Sequence, residues 1–490
     1  MGTGVIIAGA GPVGLMLAGE LRLGGVDVVV YEQRAAPSGE SRGVGFTRRA
    51  AEVFDQRGLL ARLGEIEIGN EGHFGGVRID FTMLDDVHFG IRGVPQYRIE
   101  AVLEAWALEL GATIRRGYEV VDYREEPDGV VAVLQGPQGR TEHSAQYLVG
   151  CDGGRSTVRR LAGIDFPGLE ATRGMYVADV AGCDIRPRPV GERVPGGMVM
   201  AIRLEHGVDR IIIHPEGQPP RSNATLTFTE IADSWQQLTG QSLHDADVRW
   251  ISAFTNTTRQ AAEYRRGRVL LSGDSTHIHV PAGAQGLSVG VQDAVNLGWK
   301  LAATVNGWAP QGLLDTYHAE RHPVGQRLLR STLAQSQLYL TGDEMEPLRS
   351  VLREVVQIPE AADRLAGMVS GLEVRYEVGA GDSPLLGRRM RPDRRVERPD
   401  GSRSTVVELL HPARGVLIDT DPAGSAAKQA VDWADRVDTV TGHWVPDPAI
   451  RQPLPGPVLL RPDGHVVWAG EGDVAVALER WFGAPARPTA

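Results

Sequence analysis

Cysteine is scarce in this chain of 490 residues, which contains only Cys151 and Cys183 and no Cys-x-x-Cys pair. A disulfide framework, a cysteine-type zinc site and a dithiol redox centre are therefore disfavoured. Long apolar runs are also missing, since no stretch offers the roughly 20 uninterrupted apolar residues that span a bilayer. The first residues lack the basic start that is typical of a secretion signal. These absences predict a cytoplasmic protein without a membrane partner.

Positive charge is in deficit, because 51 lysines and arginines stand against 62 aspartates and glutamates, giving a formal net charge of −11. That balance disfavours a general nucleic-acid-binding role. Hydrophobic residues make up 42% and charged residues 23% of the chain, as in ordinary globular proteins. At roughly 150 residues per domain, the length predicts about three domains with sizeable cores.

A glycine-rich turn follows the first apolar strand. The run Val5–Ala8 ends at Gly9, and Gly11 and Gly14 follow with the spacing G-x-G-x-x-G. In such a turn the first glycine makes the bend, the second lets the backbone approach a pyrophosphate, and the third allows close helix–strand packing. The N-terminus of the following helix offers free N–H groups to the same anion. Glu32, which ends the next apolar strand, is placed to accept hydrogen bonds from a ribose.

This arrangement of strand, glycine turn, helix and acidic residue predicts a dinucleotide site. The alternative is a glycine-rich turn that binds no ligand, and the complete βαβ context argues against it. The acid at Glu32 favours an adenosine ribose without a phosphate, so FAD or NAD rather than NADP.

Two further motifs follow apolar strands at distant points of the chain. Tyr147–Gly150 runs into Cys151–Arg159, which reads CDGGRSTVR, and Arg268–Ser272 runs into Gly273-Asp274. The loop Pro281–Gly286 and a long amphipathic helix come next. With the glycine turn, these residues resemble the three signatures of the class A flavin-dependent aromatic hydroxylases, G-x-G-x-x-G, D-G-x-x-S-x-V-R and G-D. Within that family the chain is most similar to hydroxylases that tailor aromatic polyketides, especially angucycline-type ones.

The resemblance implies an α/β fold with three parts: a Rossmann-like FAD-binding domain, an inserted β-rich substrate domain and a thioredoxin-like C-terminal domain that lacks Cys-x-x-Cys. The expected bounds are 1–70, 96–170 and 265–385 for the FAD-binding domain with its long helices, 71–95 and 171–264 for the substrate domain, and 395–490 for the C-terminal domain. Arg388–Pro392 and Arg398–Gly401 are expected to form a polar linker.

The same resemblance implies a set of cofactor-binding residues. They are Gly9, Gly11, Pro12, Gly14, Glu32, Gln33, Arg34, Arg42, Gln96, Asp152, Gly153, Arg159, Gly273, Asp274, Pro281, Gly286, Leu287 and Ser288. Glu32 is expected at the adenosine ribose, Asp274 at the ribityl chain and Arg42 at the pyrophosphate. Gln96 is expected beside the ribityl–phosphate region, and Asp152 where tightly bound FAD meets a transient NADPH or NADH.

Arg155, Arg159 and Arg160 form a basic cluster with two open interpretations. It could hold the phosphates of the nicotinamide cofactor, or it could be a solvated helix face with ion pairs. No second G-x-G-x-x-G occurs in a strand–turn–helix context, so that cofactor is expected to visit without its own Rossmann domain.

The sequence departs from the family pattern at two places. Ser275-Thr276 precede His277 where the family often has two alanines, and Ser288 stands where asparagine is common. Serine can cap a helix, so FAD binding is expected to survive.

The expected chemistry depends on the cofactor, because no side chain supplies two-electron redox chemistry. The resemblance implies that NAD(P)H reduces FAD, that O2 then forms a flavin C4a-hydroperoxide, and that an electron-rich phenolate attacks its distal oxygen. The loop residues Pro281, Gly283 and Gly286 are expected at the flavin face. The N-terminus of the helix that begins there is suited to stabilising negative charge on the reduced flavin.

Other side chains receive no chemical role. His277, His279 and Tyr97 are expected to pack or hydrogen bond in ordinary ways, so no general base is assigned. Five large apolar residues could line a pocket for a polycyclic substrate, although each is individually more common in a core: Phe74, Met83, Phe89, Trp250 and Phe254.

The sequence thus predicts an FAD- and NAD(P)H-dependent monooxygenase that hydroxylates a polycyclic aromatic polyketide and acts as a monomer or homodimer. Three alternatives stay open at this stage. The same fold could perform Baeyer–Villiger or antibiotic-modifying chemistry, or act as an oxygen-independent flavin dehydrogenase or reductase. The third alternative is a non-catalytic flavin-binding scaffold.

Overall fold

The computed structural model describes residues 2–39, 43, 45–83, 91–221, 223–450 and 452–486. The α-helices are α1 Pro12–Leu23, α2 Arg48–Asp55, α3 Gln96–Glu109, α4 Thr157–Leu161, α5 Phe228–Thr239, α6 Gln285–Val305, α7 Asp315–Leu340, α8 Glu346–Val355, α9 Pro359–Ser370, α10 Val406–Leu409, α11 Ser425–Gln429 and α12 Val474–Phe482. Within the described ranges, none of these helices has the length and apolarity needed to cross a bilayer.

The β-strands are β1 Thr3–Ala8, β2 Val28–Glu32, β3 Glu67–Gly69, β4 Glu71–Phe74, β5 Val77–Asp80, β6 Ile91–Gly93, β7 Thr113–Arg116, β8 Glu119–Glu126, β9 Gly129–Gly136, β10 Gly139–Gly150, β11 Gly168–Leu169, β12 Gly174–Ala181, β13 Arg188–Val194, β14 Gly197–Arg203, β15 Val208–Pro215, β16 Asp247–Thr255, β17 Thr258–Gln260, β18 Arg265–Arg266, β19 Val269–Leu271, β20 His277–Ile278, β21 Arg395–Glu397, β22 Arg403–Thr405, β23 Gly415–Asp419, β24 Val437–Thr441, β25 His443–Trp444, β26 Val458–Leu460 and β27 Val466–Trp468.

A mostly parallel sheet forms the centre of the N-terminal two thirds of the chain. Its strand order is β18-β19-β10-β1-β2-β7, and the hairpin of β8 and β9 joins it through β10. β1 is parallel to β2 and to β10, and β10 is parallel to β19. Its core strands, such as Val5-Ile6-Ile7, are fully buried, as is typical of a parallel sheet covered on both faces. Because parallel strands end at one edge, the segments that follow β1, β2, β10 and β19 meet there.

Helices α1 and α6 pack closely against each other beside this sheet. At their contact a Cβ on Gly298 would lie 2.4 Å from Cβ of Glu20. The sequence predicts an amphipathic α6, but its polar side is buried as well. Asp293, Asn296 and Lys300 are each at most 1% exposed. Their partners outside α6 are His277 of β20, residues of α7 and a residue of the C-terminal part of the chain.

A five-stranded antiparallel sheet, which we call the roof sheet, has the order β13-β14-β15-β12-β16. Alternate residues of its strands point to opposite faces. One face packs under α5, where Trp235 is fully buried. The other face carries Met200, Ile212 and Phe254, which pack with Ala282 of the loop before α6.

The C-terminal part contains a four-stranded sheet with the order β24-β23-β26-β27, in which β23 and β24 are parallel and β26 and β27 antiparallel. Helix α12 closes it with buried Leu478, Trp481 and Phe482. The succession β23, α11, β24, β26, β27 and α12 confirms the expected thioredoxin-like fold, and this part contains no cysteine.

The expected polar linker at 388–392 is wrong. Met390 and Arg391 are buried, and the guanidinium of Arg389 forms an ion pair of 2.8 Å with Glu52 of α2. A run of arginines resembles a solvated segment in sequence, because their buried acidic partners lie far away along the chain.

Candidate active site

The three sequence motifs meet at one edge of the parallel sheet. Cys151 N donates to the carbonyl of Ala8 at 2.8 Å, and Ser272 N donates to the carbonyl of Gly150 at 3.0 Å. The glycine turn after β1, the D-G segment after β10 and the G-D segment after β19 therefore lie side by side. This edge is where open α/β sheets bind their ligands.

The three glycines of the turn have different surroundings. Gly9 has a φ of 104°, and a Cβ there would lie 2.4 Å from the carbonyl oxygen of Cys151. A Cβ on Gly14 would lie 2.0 Å from the carbonyl oxygen of Gly9. Nothing lies within 4 Å of the Cβ position of Gly11. Gly11 occupies the N-cap position of α1, and no side chain accepts a hydrogen bond from the helix there. Open space at Gly11 and an uncapped helix start at Pro12 fit a pyrophosphate.

Glu32 lies beside this turn at the end of β2. Its carboxylate accepts hydrogen bonds from Ala10 N at 2.9 Å and from Arg34 N at 3.0 Å. These bonds fix the half-buried carboxylate and leave lone pairs for ribose hydroxyls. The neighbouring Gln33 and Arg34 are exposed, and Arg42 lies outside the described residues.

Asp152 has one oxygen committed and one without a partner. Its Oδ2 accepts from Thr157 N at 2.7 Å and from Val158 N at 3.0 Å, at the start of α4. Its Oδ1 is buried and has no hydrogen-bond partner among the described residues. Gly153 follows with a φ of 79°. A buried acceptor at this edge fits a hydroxyl donor of a bound dinucleotide.

Arg159 does not point towards an open phosphate site. It is 6% exposed, and its guanidinium donates to the carbonyls of Ser275 and Gly154, both at 2.9 Å. The guanidinium also lies 3.6 Å from the ring centre of Phe166. Arg159 therefore ties the D-G segment to the G-D segment, which neither interpretation of the sequence anticipates. Arg155 is exposed beside it.

Gln96 connects α3 to the segment that enters α2. Its Oε1 accepts from Gly43 N at 3.1 Å, and its own backbone N donates to the carbonyl of Gly43 at 3.2 Å. Its Nε2 donates to Glu100 at 2.8 Å. Its role beside FAD remains a prediction.

The G-D turn packs on the first turn of α1. Gly273 has a φ of 69°, and a Cβ there would lie 2.8 Å from the side chain of Val13. A Cβ on Gly290 of α6 would lie 2.7 Å from the same side chain. The starts of α1 and α6 and the exposed Asp274 are thereby brought together.

The loop before α6 gives that helix an unusual start. Gly283 and Ala284 both have a positive φ, at 69° and 55°. Ala284 occupies the N-cap position of α6, where its side chain forms no hydrogen bond. The expectation that Ser288 caps α6 is wrong. Its hydroxyl donates to the carbonyl of Ala284 at 3.1 Å and accepts from Thr47 N at 2.9 Å. No side chain among the described residues caps the first turn, which leaves its N–H groups suited to an anionic partner.

Two histidines precede the same loop. His277 Nε2 lies 2.9 Å from Asp293 Oδ2. His279 Nδ1 lies 2.7 Å from the carbonyl of Val280, so it is the protonated nitrogen. Burial and the neighbouring His277 lower the pKa of His279 to about 4, which makes its ring neutral at pH 7. Gly286 and Leu287 lie half-buried in the first turn of α6, and Pro281 is exposed.

The predicted pocket residues lie in different places. Phe254 is half-buried on the face of the roof sheet that carries Met200 and Ile212, next to Ala282. Phe74 belongs to a separate buried cluster under α9. Trp250 lies with its ring centre 4.9 Å from the guanidinium of Arg210. Phe89 and the side chain of Met83 lie outside the described residues.

Sequence reasoning missed the polar group behind the loop, which consists of Asp293, Arg321 and Tyr376. Asp293 and Arg321 are fully buried, and Tyr376 is 5% exposed. The available signal was Asp293 itself, together with Asn296 and Lys300, in a helix whose other residues are mostly apolar or glycine. Charged residues buried in such a helix require partners.

The parallel sheet and the motifs at its carboxyl edge define a dinucleotide-dependent oxidoreductase. Residues 2–332 match the FAD binding domain family, and residues 383–485 match the aromatic-ring hydroxylase C-terminal family. The chain therefore belongs to the FAD-dependent aromatic-ring hydroxylases. It is a flavin-dependent monooxygenase that uses FAD, NAD(P)H and O2.

Proteins similar over their full length support this assignment. The chain is 42% identical to 12-dehydrotetracycline 5-monooxygenase/anhydrotetracycline 6-monooxygenase of Streptomyces rimosus, with 98% of this chain and 99% of the relative covered. It is also 42% identical to rifampicin monooxygenase of Streptomyces venezuelae, with 98% of each covered. CabE, an aromatic hydroxylase from angucycline biosynthesis, superposes with a TM-score of 0.94 at 53% identity, covering 99% of this chain and 100% of that chain.

Proposed function

We propose that this monooxygenase hydroxylates a polycyclic aromatic polyketide. The observation that carries the proposal is the apolar wall formed by Met200, Ile212 and Phe254, which faces Val280 and Ala282 of the loop before α6. Thioether and aromatic side chains suit flat ring systems. Relatives named for tetracycline intermediates and for angucycline biosynthesis support the same substrate class.

We keep the predicted cofactor-binding roles of Glu32, Asp274, Gly11 and Asp152, whereas Arg159 and Ser288 are bonded within the protein. Glu32 binds the adenosine ribose, Asp274 a hydroxyl of the ribityl chain, and the backbone at Gly11 the pyrophosphate. Asp152 offers its unpartnered Oδ1 to a hydroxyl of the dinucleotide. Bound FAD supplies the two-electron transfer and the activation of O2.

The chain contributes orientation, electrostatics and exclusion of water. With FAD bound, the N-terminus of α6, which has no side-chain cap, would offer N–H groups and a partial positive charge to the negative charge of the reduced cofactor. The roof sheet covers the loop with apolar side chains and keeps water from the reacting centre. No general base is assigned, because a pKa lowered to about 4 makes His279 a weak proton acceptor and the Nε2 of His277 is engaged by Asp293.

The decisive experiment is product mass after incubation with NADPH, labelled O2 and a panel of angucyclinones and anthracyclinones. Gain of one labelled oxygen by a ring-intact product supports the proposal. Oxygen insertion into a ring would favour the Baeyer–Villiger alternative, and NADPH consumption with only hydrogen peroxide formed would reject the substrates tested. Light scattering of the FAD-loaded protein tests our proposal of a monomer or homodimer.

Asp274→Ala tests the cofactor assignment. We expect the purified variant to lose most of its FAD, because its ribityl contact is gone, while Asp274→Asn retains part of it. Asp343→Ala is the control, since Asp343 is fully exposed and lies far from the glycine turn in sequence. An Asp274→Ala protein that remains fully yellow would remove Asp274 from the site.

A further inference from the structure

A segment between α9 and the C-terminal sheet is attached firmly to that sheet. Gly387 N donates to the carbonyl of Val466 in β27 at 2.9 Å, and Tyr376 N donates to the carbonyl of Gly387 at 2.9 Å. The ring of Tyr376 packs on His465, with ring centres 4.4 Å apart. The position of Tyr376 is therefore set by the C-terminal domain.

The hydroxyl of Tyr376 reaches into the FAD-binding domain. It accepts a hydrogen bond of 2.9 Å from Nη1 of Arg321 in α7. The same guanidinium donates to Asp293 Oδ1 at 2.6 Å and to the carbonyl of Val289 at 3.1 Å. Val289 lies one turn from the start of α6, so Arg321 holds the helix near the end that begins at the loop.

Asp293 continues the chain of contacts to the loop itself. Its Oδ2 lies 2.9 Å from His277 Nε2, and His277 lies four residues before Pro281. Burial alone would raise the pKa of Asp293, but Arg321 and His277 hold that pKa below its ordinary value. The charged carboxylate thus accepts from both neighbours in a fully buried setting, where an unmet bond is costly.

We propose that Tyr376, Arg321, Asp293 and His277 form a positioning relay through which the C-terminal domain sets the geometry of the flavin-facing loop. None of the four is a catalytic residue. The inference rests on the proposed placement of Pro281–Gly286 at the flavin. It gives the C-terminal domain a part in cofactor binding that needs no contact with the cofactor.

Tyr376→Phe is the sharpest test, since it removes one oxygen and keeps the ring against His465. We expect the dissociation constant of FAD to rise about fivefold, as is usual for couplings between distant sites. The reduction potential of the bound flavin should fall, because a displaced helix N-terminus stabilises its negative charge less well. His277→Gln, at the other end of the relay, should shift both quantities in the same direction. The double variant should show less than the sum of the two effects.

Thr304→Val is the matched control. It too removes one hydroxyl, here a hydroxyl that donates to the carbonyl of Lys300 at 2.8 Å, at the far end of α6. The proposal is overturned if Tyr376→Phe lowers only the melting temperature, as the control does, and leaves both FAD affinity and potential unchanged. Asp274→Ala, measured in parallel, distinguishes failure of the relay from failure of the proposed cofactor site. If it loses FAD while Tyr376→Phe does not, the relay is wrong and the site stands.

Discussion

At the residue scale, the glycine turn allows protein packing and ligand contact to be separated by two alanine substitutions. A Cβ on Gly14 would meet the carbonyl of Gly9 at 2.0 Å, whereas a Cβ on Gly11 would meet no protein atom within 4 Å. We expect Gly14→Ala to lower the free energy of unfolding of the apoprotein by about 2 kcal/mol or more and to abolish FAD binding. Gly11→Ala should leave that stability within about 0.5 kcal/mol and still weaken FAD binding at least tenfold. Urea titration and FAD fluorescence measure the two effects, and equal FAD affinity in Gly11→Ala and wild type would contradict the assigned pyrophosphate position.

Two neighbouring arginines separate structural from cofactor-binding roles in the same way. Arg159 is buried and bonded to two carbonyls, while Arg155 is exposed. We expect Arg159→Met to destabilise the protein by about 2 kcal/mol, because two buried acceptors lose a charged donor. Arg155→Ala should keep wild-type stability and raise the KM for NADPH. Steady-state kinetics and thermal unfolding of both variants test this, and a raised KM only in Arg159→Met would reverse the two roles.

The residues that the sequence predicts well are those whose role is decided locally. Gly9 and Gly14 follow from turn geometry, and Glu32 from its place at the end of a buried strand. The contacts of Ser288 and Arg159 could not be predicted from the local sequence. Their partners, Thr47 and Ser275, lie more than 100 positions away in the sequence, and only the packed structure brings them close.

At the element scale, α6 and α7 are joined by buried charges rather than by apolar packing alone. Lys300 Nζ donates to Glu320 Oε2 at 2.8 Å, and Arg461 of the C-terminal domain donates to Glu320 Oε1 at 2.6 Å. The apolar spacing of α6 predicts its existence and length, but not this pairing. Helical periodicity identifies a polar stripe and is silent on whether water or another helix covers it.

This pairing predicts a dependence of stability on pH. Burial alone would raise the pKa of Glu320, but Arg461 and Lys300 outweigh it and lower that pKa from 4.5 to about 2. A carboxylate whose pKa is lower in the folded than in the unfolded protein adds stability at pH values above its unfolded pKa. The contribution of Glu320 is therefore present above about pH 4.5 and is lost as the pH falls towards 2. The complete loss, reached only near pH 2, is on the order of 3 kcal/mol, and about 1 kcal/mol of it falls between pH 7 and pH 3.5. Urea midpoints between pH 7 and pH 3.5 measure it. We expect Glu320→Gln to be less stable at pH 7 and flatter below pH 5, and a parallel decline in both proteins would contradict the assignment.

At the scale of the whole molecule, the C-terminal domain is clamped to the FAD-binding domain by arginines. Arg57 uses all five of its N–H donors. Within the FAD-binding domain, Nε and Nη2 donate to the carboxylate of Glu20, and Nη1 donates to the carbonyl of Gln56. Across the interface, Nη1 donates to the carbonyl of Leu410 and Nη2 to the carbonyl of Pro462. Composition and length predict several domains but give no measure of how tightly they adhere. Opening this interface removes two carbonyl acceptors from Arg57 and separates Arg461 from Glu320, while the Arg57–Glu20 and Lys300–Glu320 pairs stay intact.

The clamp predicts that the two parts unfold together. Opening the interface would take the carbonyls of Leu410 and Pro462 from Arg57 and break the Arg461–Glu320 ion pair. It would also uncover Trp299 and Leu328, which are buried in one apolar cluster with the C-terminal sheet, so a state with only one folded part is strongly disfavoured. Amide hydrogen exchange in β23 and β26 reports the C-terminal domain, and flavin fluorescence reports the FAD-binding domain. Bulk tryptophan fluorescence would not separate them, because Trp106 and Trp235 are buried outside the C-terminal domain. We expect both signals to change with the same midpoint in urea. Arg414→Ala, which breaks an ion pair inside the C-terminal domain, should leave them coincident, whereas Arg57→Gln should lower the shared midpoint. Two separated transitions in the wild-type protein would show that the domains adhere only weakly, and the positioning role of the C-terminal domain would then lose its basis.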